Sequence, residues 1–130
     1  MTIEIGAGKK LFDLAEAREH LPLVQSITTN HQAQLAPIQT RLNKILSNDP
    51  RRPAIEIEYE LVVSRWRNKI EQLGAGVQGL WVVEFDMGEV MLNWRYPELT
   101  INYVREKDQP ISHRIKLSTY VEEHDPDWAR

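Results

Sequence analysis

Cysteine is absent from the 130 residues. Its absence excludes a disulfide scaffold, a thiol nucleophile and any thiolate metal site. It fits a reducing compartment, and a cytoplasmic protein is expected. Long apolar runs are missing too. No stretch approaches the ~20 residues of a membrane-spanning helix, and the Glu4-containing segment Met1 to Lys10 lacks the apolar centre of a secretion signal. Neither sign of charge dominates. Sixteen Lys and Arg against 19 Asp and Glu leave a net charge of −3, so electrostatics in bulk point to no nucleic-acid or membrane partner.

The local signatures of chemistry are equally scarce. No HExxH, Asp-rich calcium loop, phosphate-binding glycine loop or nucleophile elbow occurs. Gly74, Gly76 and Gly79 are spaced glycines, but they follow a helix and precede a strand, the wrong order for a phosphate cradle, and read as linker. His20 and His31 would share one helix face about three turns apart, too far to hold one ion. Catalytic residues, metal ligands and cofactors are therefore all expected to be none.

What is present is an organising stretch, Leu80 to Arg105, that reads as a three-stranded antiparallel meander. Side chains alternate across a strand. One face collects Trp81, Val83 and Phe85, then Val90, Leu92, Trp94 and Tyr96, then Leu99, Ile101 and Tyr103. A two-residue turn at Met87-Gly88 pairs Phe85 with Val90, Val83 with Leu92 and Trp81 with Trp94. A second at Pro97-Glu98 pairs Trp94 with Ile101 and Leu92 with Tyr103, so every bulky residue lands on one side. Glu98 is an unusual turn residue, which leaves that loop open to one or two more residues.

The helices precede the meander. Asp13 and Glu16 form a capping-box pattern for a short helix ending near His20. From Leu21 a seam of Val24, Thr28, His31, Leu35, Ile38, Leu42 and Ile45 steps by three and four. Pro37 lies inside it at a cost of about 3 kcal/mol, and the unbroken phase predicts a kink rather than an end. His31 on that seam is read as structural. After the break at Asn48 to Arg52, Tyr59, Val62, Trp66, Ile70 and Leu73 mark a second helix closed by Gly74. Glu56, Glu58 and Glu60 near its start suit the helix dipole. Beyond Arg105, alternation from Ile111 to Val121 predicts a fourth strand or extended arm, and the tail from Glu122 is expected to fray.

The fold class expected is α+β: a long antiparallel helical hairpin, with a short N-terminal helix, packed on one face of a small antiparallel meander. We expect one domain over 1–130, with helices over about 11–73, the meander over about 80–105 and the arm over about 111–121. The outer sheet face carries Val82, Met91 and Val104, more apolar than a wet face needs. It also gathers Glu84, Asn93, Arg95 and Asn102, the candidate ligand-binding residues. The functional expectation is a non-catalytic interaction module, a homodimer or a partner of another protein. The alternative is a small-ligand- or metal-dependent enzyme using those four polar residues, and RNA binding through the aromatic strands is a weaker third.

Two passages carry a resemblance. Leu11 to Gln25, LFDLAEAREHLPLVQ, and the strands Leu92-Asn93-Trp94-Arg95 and Ile101 to Glu106 resemble a bacterial family known as domain of unknown function 2203. The likeness covers Leu11 to Leu117. Asn93 stands where that family tends to have Cys, and Val104-Arg105 where it tends to have Trp-His. A thiol or imidazole site, if the family has one, is lost here. The resemblance implies a small protein of unassigned activity.

Overall fold

The computed structural model describes residues 10–130, so all but the last residue of the segment Met1 to Lys10 lies outside the described residues. Helix α1 runs Leu14–Asn43 and α2 runs Arg52–Gln72. A five-stranded antiparallel sheet follows in sequential order: β1 Gly76–Gly79, β2 Val82–Asp86, β3 Val90–Arg95, β4 Tyr103–Glu106 and β5 Ile115–Lys116. Helix α3, Leu117–His124, and a 3-10 turn at Asp127–Ala129 close the chain.

The capping box forms as read: Asp13 accepts from the Glu16 amide at 2.7 Å, and Glu16 accepts from the Asp13 amide at 3.1 Å. The helix it starts does not stop near His20. It continues through both Pro22 and Pro37, so the expected short helix is the first turns of α1. Packing overrides the lost backbone bonds, because Leu14, Ala17, Leu21, Val24, Thr28, His31, Leu35 and Ile38 make one unbroken buried stripe. His31 donates from Nδ1 to the Ile27 carbonyl at 2.7 Å, a structural role.

Helix α2 returns antiparallel along α1. Buried Trp66 donates its indole N–H to the Thr28 hydroxyl at 2.9 Å, and Arg41 grips Glu58 with two bonds of 3.1 and 3.0 Å. Glu56 and Glu58 lie beyond the first turn, which holds no acid, and pair instead with Arg52 and Arg41. Gly74 follows the Leu73 cap at φ +94°, a conformation that suits glycine alone. The segment after it is no loose linker: Gly76–Gly79 is edge strand β1. Trp81 sits in the β1–β2 turn at φ +62°, half-buried, its ring edge-on to Trp66 at 4.9 Å.

Sheet register departs from expectation in two ways. Between β2 and β3 the pairs are Val83 with Trp94 and Phe85 with Leu92, because the turn centres on Gly88-Glu89. That is a slip of two positions, which keeps every side chain on its face. Between β3 and β4 the pairs are Leu92 with Val104 and Asn93 with Tyr103, a slip of one, which inverts β4. The cause is a loop longer than two residues. Trp94 donates to the Glu98 carbonyl at 2.7 Å, and Gln25 from α1 donates to the carbonyls of Glu98 and Leu99. Val104 therefore enters the core, Tyr103 turns outward and Leu99 is 86% exposed.

The inner face of Val83, Phe85, Val90, Leu92, Trp94 and Val104 packs on Leu14, Ala17, Leu21, Val24, Trp66 and Ile70. A second, smaller cluster of Leu35, Ile38, Ile55 and Val62 lies further along the hairpin. The stretch from Ile111 to Val121 is not one strand or extended arm. Only Ile115–Lys116 is strand, paired within the chain to β4, and Leu117 and Tyr120 are then buried on one face of α3. The tail does not fray: Trp128 joins the main core and stacks on Tyr120 at 5.9 Å.

Candidate functional site

The outer sheet face begins with Glu84 on β2 and its cross-strand neighbour Asn93 on β3. Inversion of β4 brings Arg105 beside them, opposite Met91. Glu84 and Asn93 are fully buried and Arg105 is 7% exposed. Arg105 donates Nε to one Glu84 oxygen and a terminal nitrogen to the other, both at 2.7 Å; Asn93 Nδ2 donates to Oε2 at 2.7 Å. A bidentate guanidinium on a carboxylate is the strong form of such a bond. That bond pushes the Arg105 pKa above its ordinary value, against the opposing effect of burial.

The segment after β4 folds back over this face. Arg105 donates to the carbonyls of Glu106, Lys107 and Gln109, the last at 2.7 Å. Arg95 donates to the Ile111 carbonyl at 2.7 Å, and Arg114 lies 3.7 Å over the Tyr103 ring while gripping both Glu98 oxygens. The face expected to be a semi-apolar contact surface is thus roofed by the chain itself. Buried atoms without a hydrogen-bond partner among the described residues are Asn93 Oδ1, Arg95 Nε, Arg114 Nε and Trp128 Nε1.

Of the four residues singled out, the structure joins Glu84 to Asn93 and sets Arg95 on the same face, tied to the roof. Asn102 is elsewhere. Its carbonyl accepts the Leu117 amide at 2.8 Å, and it lines a groove of about 640 Å³ with Arg18, Tyr103, Lys116 and Ser118. The missed member is Arg105. Its signal was the doubtful turn at Pro97-Glu98, since one extra residue there exchanges Asn102 for Arg105 on the outer face. Asp86, at the end of β2, pairs with Lys107 at 2.9 Å and accepts the Gly88 amide. Among the described residues no three His, Asp or Glu side chains gather as a metal site, and no helix is long and apolar enough to cross a membrane.

A family model described as an uncharacterized conserved protein, DUF2203, matches residues 10–117. The chain belongs to this family. The DUF2203 span takes in α1, α2 and all five strands, and ends at the first residue of α3. It includes Glu84, Asn93, Arg95 and Arg105, so the roofed cluster lies wholly within the DUF2203 region. No curated protein and no solved structure matches the chain.

Proposed function

We propose that this DUF2203 chain is a non-catalytic interaction module that acts as a homodimer in the cytoplasm. The observation that carries the reading is the solvent side of α2. Ile57 is 61% and Leu61 52% exposed, one turn apart, on the side of α2 away from α1. The outer part of the hairpin beneath them rests on a separate cluster of four buried apolar residues, Leu35, Ile38, Ile55 and Val62. An apolar pair exposed on a helix above so small a core gains from a covering partner. The polar cluster supports the same reading, since the Glu84 carboxylate and the Arg105 guanidinium are bonded to each other and to their own chain. The absence of cysteine supports the reducing compartment.

Size-exclusion chromatography with light scattering tests the reading. Twice the 15.2 kDa chain mass is expected at micromolar concentration; a strict monomer at millimolar concentration would overturn it. The groove beside Asn102 supports a second reading, binding of a small ligand, because its volume lies in the range of ligand pockets. Native mass spectrometry that finds no co-purified small molecule across several preparations would weigh against it.

A further inference from the structure

We infer that two copies pair through the outer faces of α2, antiparallel, about an axis beside Leu61 and Ser64. This rests on the homodimer reading and specifies its interface. Helix α2 buries Ile55, Val62, Trp66 and Ile70 against its own chain. On the opposite side Ala54, Ile57, Leu61, Ser64 and Asn68 step by three, four, three and four, all exposed. That is the spacing of a coiled-coil seam. A shallow groove of about 380 Å³ runs beside it between Ile57, Leu61 and Ser64 on one hand and Glu56 and Glu60 on the other.

Charge decides the orientation and the occupant. Helix α2 is net acidic before its midpoint, with Glu56, Glu58 and Glu60 against Arg52, and net basic after it, with Arg65, Arg67 and Lys69 against Glu71. Glu58 and Arg65 flank the seam on one side, and Glu60 and Arg67 on the other. When Leu61 of one copy meets Ser64 of the second, antiparallel pairing sets Glu58 against Arg65 and Glu60 against Arg67. Symmetry repeats each contact, so the surface complements itself. The two Leu61 side chains then lie about 5 Å apart along the axis. A parallel pairing would keep one attractive contact, Glu60 against Arg65, but would leave Arg67 facing uncharged Gln72 and align helix dipole with helix dipole. Glu60, Arg65 and Arg67 make no hydrogen bond through their side chains among the described residues, whereas Glu58 already holds Arg41. The Glu60–Arg67 contact is therefore the sharper probe.

The test is a charge swap read by sedimentation equilibrium, with circular dichroism to verify that each variant is folded. E60R and R67E alone each place like charges together twice. Each should weaken self-association about tenfold, the sum of two reversed surface pairs. An equimolar mixture of E60R and R67E restores opposite charges at both contacts and should form a heterodimer as tight as the parent. A dimeric parent with R67E unaffected, or with no rescue in the mixture, would overturn this interface while the homodimer stands. A monomeric parent removes both.

Discussion

Replacing Arg105 with Met removes the guanidinium and keeps most of the aliphatic volume. What remains is a Glu84 carboxylate with no solvent exposure, held only by the Asn93 amide at 2.7 Å. Leaving one member of a buried ion pair uncompensated costs about 3–5 kcal/mol. Domains of this kind are stable by only about 5–15 kcal/mol, so the loss takes a fifth or more. Urea unfolding followed by tryptophan fluorescence reads it as a lower midpoint at unchanged slope. Removing both charges, with Glu84→Leu and Arg105→Met together, should recover about 2 kcal/mol. The residual cost is then the Asn93 amide without its acceptor, about 1–3 kcal/mol. Arg105→Lys keeps the charge but loses the fork and should fall between. An Arg105→Met protein within about 1 kcal/mol of the parent would refute the reasoning, because a carboxylate that tolerates losing its cation is not buried.

Three further outcomes follow from the same geometry. Gly74→Ala should lose roughly 1–2 kcal/mol by chemical denaturation, since φ is +94° and the new methyl would lie 2.9 Å from Lys10 Cβ; an unchanged midpoint would contradict the cap. Thr28→Val leaves the buried Trp66 N–H without its acceptor and should cost about 1–3 kcal/mol, with faster hydrogen exchange of that indole proton as the local readout. The Arg51 guanidinium and amide hold the Asp49 carboxyl down from 3.8 to about 2. A value depressed by folding favours the folded state above the ordinary value, and the contribution fades as pH falls from 3.8 to about 2; carboxyl NMR should show that midpoint, and Arg51→Gln should raise it towards 3.8.

The helices were legible because their signal is redundant. Eight buried positions on α1 repeat one spacing, so two prolines did not hide it. Their joining across Pro22 was not legible, since a local rule against interior proline competes with a tertiary gain that only packing reveals. The segment from Ile111 to Val121 misled for a different reason. Its alternation was real over Ile115–Lys116, but Leu117, Tyr120 and Val121 also satisfy helical spacing, and a short run cannot separate the two periods. Trp128 read as part of a frayed tail because its partners, Tyr120 and the residues around it, come together only after α3 turns back.

The site shows how parity governs what a sequence can tell. Two slips occurred in the sheet, and the larger did less harm. Moving β2 against β3 by two positions kept Val83, Phe85, Leu92 and Trp94 inside, so Glu84 and Asn93 still met. Moving β4 by one replaced Tyr103 with Val104 in the core and put Arg105 on Glu84. Asn93 and Arg105 are two of the positions at which this chain departs from the pattern it resembles, and the structure sets both on a single carboxylate. Both side chains donate to it. The Arg105 fork spans both Glu84 oxygens while a third nitrogen reaches the Gln109 carbonyl, and an imidazole has two ring nitrogens facing apart. Arg105→His would therefore lose the two-point grip on the carboxylate, and a change at Asn93 or Arg105 alone leaves part of the cluster unpaired. The buried triad thus reads as the pin that holds β2, β3 and β4 in one register, since a further slip of one residue would strand the Glu84 charge in an apolar layer.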